Sequence, residues 1–441
     1  MTITEQVAKN IIRKMTKVLL INPHQTSQGS FSNAPLGLLY LAGTLKKNNI
    51  NVELIDGYLV GFEGITDKIS EFEPDIIGIT SYTPGRHKAL QIASWTHQNY
   101  PDILVILGGA HPTIMWKQLM DNYNFISACV VGEGEQTMLE IAQGKPFNQV
   151  DGLAYRDNNK TIINKQRTYF NSLDDIPFPA WELCELNKYP GQQGFVNVRG
   201  ELINISQTRI PLVSSRGCTG NCEFCSTWWI WKKYRHRSGK NIVDEIEMLY
   251  NKGYKHFVFE DDAMTLDRQP VIDMCDEIIK RDLKIAFFAT TRVDAMDEEL
   301  AGKLKEAGCY EVSMGVESGS PQILKTINKH INLDQSKEAI KVLKNAGIKT
   351  CALIMVGNIG ESDETINETV RFLQESEVDS IGSLGMVWVM PGTKLYYYCK
   401  SKGMIDDKFW LNDQEVFVFK ESFDEKDLSK WATAVCNRQL V

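Results

Sequence analysis

Three cysteines fall within residues 218–225, in the stretch Ser215-Arg-Gly-Cys218-Thr-Gly-Asn-Cys222-Glu-Phe-Cys225. Thiolates this close in sequence can converge on one inorganic centre, and Gly217 and Gly220 allow the backbone the tight path that convergence needs. An ordinary [4Fe-4S] cluster takes four Cys ligands. A three-ligand loop would leave one iron open to a substrate or cofactor. The same thiolates with His236 would also suit a tetrahedral zinc ion, although a structural zinc knuckle belongs at a hairpin or subdomain edge.

The surrounding elements decide where such a loop can sit. Short apolar runs at 17–21, 51–55, 75–80, 103–108 and 129–131 read as strands, with helical patterns such as 36–47 between them. Their hydrophobicity is continuous rather than alternating, which means burial on both faces and a parallel sheet wound with helices. This predicts a flavodoxin-like, doubly wound α/β domain over 15–143. Prolines and polar turns interrupt 144–209, which reads as a connecting segment. A second βα series follows, with strands expected at 210–214, 256–260, 284–289, 310–316, 349–356 and 381–389. Helices between them carry apolar faces, for example Ile242, Val243, Ile246, Leu249 and Tyr250. Six units predict a partial (β/α)6, TIM-type barrel over 210–394, followed by an extension over 395–441. The cysteine loop directly follows the first strand, on the carboxyl side where such barrels place their chemistry.

Composition narrows the function. With 441 residues the chain exceeds one ordinary core. Its net charge of -8 lacks the basic field that draws phosphate backbones, so no nucleic acid partner is expected. No apolar run is long enough to span a bilayer, and residues 1–14 hold no signal-peptide stretch. Ten cysteines in a chain of this size point to a reducing, cytoplasmic setting rather than a disulfide scaffold. Cys275, Cys309 and Cys351 fall on apolar faces or strand flanks and read as small core residues, while Cys184, Cys399 and Cys436 are dispersed.

The Cys-x3-Cys-x2-Cys spacing, with Phe224 before the last cysteine, resembles the signature of the radical S-adenosylmethionine (SAM) superfamily. The resemblance implies that Cys218, Cys222 and Cys225 hold a [4Fe-4S] cluster whose open iron chelates SAM. One electron, from an external carrier such as flavodoxin or ferredoxin, then yields a 5'-deoxyadenosyl radical. By the same resemblance, Phe224, Asp261 and Asp262 after the second strand, Arg292 after the third, and Glu317 and Ser318 after the fourth contact SAM. After the fifth, Asn358-Ile359 departs from the family, which usually has a proline before the glycine.

A doubly wound domain ahead of such a barrel resembles the cobalamin-binding subclass, in Pro35-Leu-Gly37, Thr80-Ser81-Tyr-Thr83, Gly108-Gly109-Ala-His111-Pro112 and Gly132-Glu133. The resemblance implies cobalamin contacts from Ser81, Thr83, Gly108, Gly109, His111 and Glu133. Small residues after strands let a flat macrocycle approach the backbone. Asn22-Pro-His24 lacks the Asp and Gly that accompany a histidine lower ligand, so His24 is not expected to bind cobalt. A domain that has lost cobalamin and only shapes the cavity is the alternative. Methylthiotransferases place three cysteines in this domain; here there is only Cys129.

The stretch Trp228-Trp229-Ile230-Trp231-Lys232-Lys233 resembles a segment of anaerobic magnesium-protoporphyrin monomethyl ester cyclases. The tryptophans would wall a dry pocket or pack between domains. The expected activity is cobalamin-dependent methylation of an unactivated carbon in a small-molecule or peptide substrate, with cyclisation, oxidation, elimination or rearrangement as the alternative.

Overall fold

The computed structural model describes residues 16–23, 33–158, 160–382 and 384–441. His24 lies outside them. The chain divides into two compact units, one of Met1–Pro190 with Asp406–Glu415 and the other of Gly191–Ile405 with Val416–Val441.

The first unit alternates β1 (Lys17–Asn22), α1 (Leu36–Lys47), β2 (Asn51–Asp56), α2 (Gly57–Phe72), β3 (Ile76–Thr80), α3 (Arg86–Asn99), β4 (Leu104–Gly108), α4 (Ala110–Asn122), β5 (Ala128–Val130) and α5 (Glu135–Ala142). Its sheet runs β2-β1-β3-β4-β5 in parallel, the flavodoxin-like order. Period-two geometry explains the continuous apolar runs. Val18, Leu20 and Ile76 enter the core on one face, while Leu19, Ile21 and Ile77 enter the core on the other. Each such buried aliphatic side chain contributes roughly 1.5–3 kcal/mol of transfer free energy. Asp56 caps α2 by accepting from the Tyr58 amide at 2.9 Å.

Residues 144–209 do more than connect. β6 (Leu153–Asp157) pairs antiparallel with β5 and β7 (Lys160–Ile163) with β6, extending the first sheet to seven strands. β8 (Phe195–Val198) and β9 (Glu201–Asn204) form a hairpin in the second unit, turning through Arg199 and Gly200 at φ 47° and 85°. Two positive φ values in a two-residue loop are the turn that matches strand twist.

In the second unit β10 (Ile210–Leu212) leads into β11 (Ser215–Arg216), α6 (Thr227–Trp231), β12 (Arg235–His236) and α7 (Gly239–Tyr250). Then come β13 (His256–Phe259), α8 (Arg268–Lys280), β14 (Ala286–Thr291), α9 (Glu298–Ala307), β15 (Cys309–Glu317), α10 (Pro321–Thr326), α11 (Leu333–Asn345), β16 (Lys349–Val356) and α12 (Asp363–Glu375). Strands β10-β13-β14-β15-β16 are parallel neighbours in chain order, as a partial barrel requires. Capping boxes at Asn332 and Ser362 start α11 and α12.

The strand expected at 381–389 is broken into β17 (Ser380–Ile381) and β18 (Gly385–Met386), both pairing with β16. Gly382, which follows β17, packs closely enough that a Cβ there would lie 2.6 Å from Leu353 Cδ2 and 2.9 Å from Cys351 Sγ. The chain closes with α13 (Lys394–Ser401) and α14 (Glu425–Asn437). Among the described residues no helix is long and apolar enough to cross a membrane.

Candidate functional site

The cysteine loop emerges from β11, whose antiparallel pairing with β12 ties its two ends together. Gly217, at φ 93°, is required there because a Cβ would lie 2.6 Å from the Lys233 carbonyl. At Gly220 the space is filled by chemistry: a Cβ would meet Arg292 Nη1 at 3.0 Å, Cys218 Sγ at 3.3 Å and Cys222 Sγ at 3.7 Å. The turn closes with the Cys225 amide donating to the Cys222 carbonyl at 3.2 Å. Outer contacts hold it in place, with the Glu223 amide on the Ile327 carbonyl at 3.0 Å and Asn328 Nδ2 on the Asn221 carbonyl at 2.8 Å. Phe224 packs against Ile323, Leu324 and Ile327 from α10 and its end, so it anchors the loop.

Burial pushes the Cys222 thiol up to about 11, opposed by the nearby Lys329 charge, and burial also raises Cys225. Such thiols ionise when a metal replaces the proton. Three half-buried cysteines beside two cations fit a multi-iron cluster, whose thiolate ligands bind different irons and whose negative charge needs compensation. Among the described residues no three His, Cys, Asp or Glu side chains are gathered as around a single ion. His236, the fourth ligand of the zinc alternative, pairs through Nε2 with Asp267 at 2.9 Å, and its Nδ1 lies 3.2 Å from the Arg237 carbonyl.

Around the loop stand the other expected residues. Arg292, 8 % exposed, holds Asp294 through two bonds of 2.9 and 2.8 Å. Burial opposes its charge, but Asp294 and the sulfurs of Cys218 and Cys222 raise its pKa above the ordinary value. Glu317 ends β15 in the left-handed region, at φ 67°, and pairs with Lys329 at 2.6 Å. Lys329 was not legible in the sequence; in the structure it stands between Asn328 and His330, both at φ 56°.

Asp261 and Ser318 are engaged internally. Asp261 is buried and accepts from the Ser214 amide at 3.1 Å, Ser214 Oγ at 2.7 Å, the Ser215 amide at 2.5 Å and Ser215 Oγ. It thereby fixes the turn that delivers the cysteine loop. Ser318 Oγ lies 3.2 Å from Thr369 Oγ1 and accepts from the Ser320 amide at 3.1 Å. Asp262 remains exposed and accepts from Thr227 Oγ1 at 2.8 Å. After β16, Asn358 organises the loop through Glu361. Its amide and its Nδ2 both donate to Glu361 at 3.0 Å, closing the loop with a polar clasp.

In the first unit the expected cobalamin residues gather at the carboxyl ends of β3, β4 and β5. The Ser81 amide donates to the Gly108 carbonyl at 2.8 Å and the His111 amide to the Ser81 carbonyl at 3.1 Å. Gly109, at φ 98°, has no room for a side chain, since a Cβ would lie 2.9 Å from the Ser81 carbonyl. A Cβ on Gly108 would approach only Val130, at 3.9 Å, so the backbone there stays open to a bound molecule. His111 is fully buried, its Nδ1 3.1 Å from Thr83 Oγ1 and its Nε2 without a partner. Burial lowers its pKa to about 3, so the ring is neutral. Glu133 is 5 % exposed and accepts from the Phe170 amide at 3.4 Å. An orphaned buried nitrogen and glycine-backed strand ends fit a large, polar-edged cofactor. Of the segment after Cys225, Trp228 and Trp229 are 41 % and 37 % exposed, and Trp229 meets Tyr397 edge-on at 6.3 Å.

Fold and site together define an iron-sulfur barrel enzyme carrying a B12-type domain. Comparison with known proteins agrees: the Radical SAM superfamily matches residues 212–373 and the B12 binding domain matches residues 30–142. An uncharacterized methyltransferase of Pyrococcus horikoshii is 31 % identical over 409 residues, covering 90 % of this chain and 86 % of the relative. The anaerobic magnesium-protoporphyrin IX monomethyl ester cyclase of Rubrivivax gelatinosus is 34 % identical over 382 residues, covering 82 % of this chain and 66 % of the relative. The solved radical SAM methyltransferase TsrM from Kitasatospora setae, with cobalamin and a [4Fe-4S] cluster bound, has the same fold at TM-score 0.73 and 18 % identity, covering 88 % of this chain and 75 % of that one. The chain belongs to the radical SAM superfamily, in its cobalamin-binding subclass, and its cofactors are a [4Fe-4S] cluster, SAM and cobalamin.

Proposed function

We propose that this enzyme methylates an unactivated carbon of a small-molecule or peptide substrate, with Cys218, Cys222 and Cys225 as the cluster ligands. When bound, the cluster with SAM supplies a hydrogen-abstracting radical, and cobalamin supplies the methyl group. Arg292 and Lys329 would offset the charge of the thiolates and pair with the carboxylate of SAM, while Glu317 would accept hydrogen bonds from its amino or hydroxyl groups. Asp261 and Phe224 hold the loop that carries the thiolates. Ser81, Thr83, Gly108, Gly109, His111 and Glu133 form the cobalamin cradle.

The observation that carries this reading is the cluster of Arg292 Nη1 with the Cys218 and Cys222 sulfurs around Gly220, in a chain whose 31 % identical relative is named a methyltransferase. A one-electron carrier such as flavodoxin or ferredoxin supplies the reducing electron, and the cytoplasm supplies the reducing setting that ten free thiols need. The test is product analysis during anaerobic turnover. Methylation yields S-adenosylhomocysteine together with 5'-deoxyadenosine. The 34 % identity to the cyclase favours ring closure as a second reading, and 5'-deoxyadenosine without S-adenosylhomocysteine would establish that one instead.

A further inference from the structure

Arg86 opens α3 directly after Gly85, which sits at φ 81°, and its side chain is 1 % exposed. A guanidinium has five N–H donors in a rigid planar fork, and here each donor has its own backbone carbonyl. Nε donates to Trp410 at 2.8 Å. Nη1 donates to Thr83 at 3.1 Å and Glu415 at 3.2 Å, and Nη2 donates to Asn412 and Gln414, both at 2.7 Å. The buried Trp410 ring lies 5.3 Å from the guanidinium carbon. Carbonyl dipoles replace the water that a buried cation loses, and the charges of Asp413 and Glu415 add to them.

Four of these carbonyls belong to Asp406–Glu415, a strap that is part of the first unit although the chain on either side of it belongs to the second. The fifth belongs to the loop between β3 and α3. That loop is bonded in turn to the start of α4, through Thr83 Oγ1 and His111 Nδ1 at 3.1 Å. It stands beside the β1/β3 switch point, where ligands bind in this strand order. Two residues beyond Glu415, the Phe417 carbonyl accepts from the Val389 amide at 2.8 Å, and the Phe419 amide donates to the Val387 carbonyl at 2.9 Å. One guanidinium therefore holds both the loop that carries Thr83 and the 406–415 strap.

We propose that Arg86 is a positioning residue for the cobalamin reaction, fixing the Ser81–Gly85 loop and the 406–415 strap in one arrangement. This rests on the cobalamin reading of the first unit.

The test uses full-length protein reconstituted without oxygen, with hydroxocobalamin binding followed by absorbance and amide hydrogen exchange followed by mass spectrometry. For Arg86→Met we expect cobalamin binding weakened at least tenfold and faster exchange over both 80–86 and 408–416, with iron content and SAM cleavage at wild-type levels. Arg86→Lys keeps the charge but offers three donors, so its affinity falls between the two. Trp410→Ala alters the strap without touching the loop, and it speeds exchange over 80–86 as well as 408–416; this variant decides the matter if Arg86→Met does not fold. Wild-type protein that binds no cobalamin overturns the reading of the domain and this proposal with it. Wild-type binding matched by Arg86→Met, or Trp410→Ala exchange confined to the strap, overturns this proposal alone.

Discussion

Lys329 Nζ and Glu317 Oε1 meet at 2.6 Å beside Gly315, where a Cβ would lie 2.6 Å from the carboxylate oxygen and 2.7 Å from the ammonium. The pair is buried, with side chains 7 % and 11 % exposed. It also sits where β15 slips register against β16, between Gly315 and Glu317. A left-handed glutamate in a register slip is strain that the surrounding structure must hold, and such strain collects at functional sites.

Removing one partner of this pair leaves a buried charge uncompensated. Lys329→Met is expected to cost about 3–5 kcal/mol of stability, read as a shift in the denaturant midpoint. Lys329→Met combined with Glu317→Gln is expected to recover part of that loss without restoring SAM cleavage, which each change alone is expected to abolish. A double variant as unstable as the sum of the single ones would show that the pair is not coupled.

Asp261 predicts a pH dependence of stability. Burial raises its pKa from 3.8 to about 6 against the pull of the Ser214 and Ser215 bonds. Between those values the folded chain keeps a proton that the unfolded chain has lost, so the stabilisation is full below about pH 4 and falls as pH rises to about 6. The difference of about 2 pKa units corresponds to about 3 kcal/mol. Asp261→Asn removes this slope, which denaturation at a series of pH values would show. Its amide also sets a donor against the Ser214 or Ser215 amide, so iron loading is expected to drop as well.

Gly109→Ala tests the cobalamin cradle. Alanine at φ 98° is strained, and its Cβ would lie 2.9 Å from the Ser81 carbonyl and 3.0 Å from Thr80 Oγ1. A cost of about 1–3 kcal/mol follows from the backbone alone, since φ 98° with ψ -167° is a region essentially reserved for glycine. Cobalamin titration should show weakened binding while SAM cleavage is retained. Unchanged affinity would move the cofactor away from the β3 and β4 termini.

Most of the architecture was legible because parallel strands buried on both faces write themselves as continuous apolar runs, as Lys17–Asn22 does. The cysteine loop was legible because three thiolates in eight residues leave few alternatives. What escaped depends on partners without a sequence signature. The two strands within Leu153–Ile163 are short and lie among prolines and polar turns. The strap at 406–415 is held by Arg86 through backbone carbonyls, which every residue carries. Lys329 acts through a chain reversal after α10 that no local pattern announces. Asp261 was visible as an acidic residue after a strand, but its bonds to Ser214 and Ser215 turn its carboxylate to holding the loop.

The central claim is that Cys218, Cys222 and Cys225 together hold the cluster at which SAM is cleaved. The most direct measurement is 5'-deoxyadenosine formation, with iron content, for anaerobically reconstituted wild type and Cys222→Ala. Wild type is expected to carry a [4Fe-4S] cluster and to cleave SAM, whereas Cys222→Ala, folded by circular dichroism, loses cleavage entirely. Cleavage at the wild-type rate in Cys222→Ala, or in iron-free protein, would contradict the account.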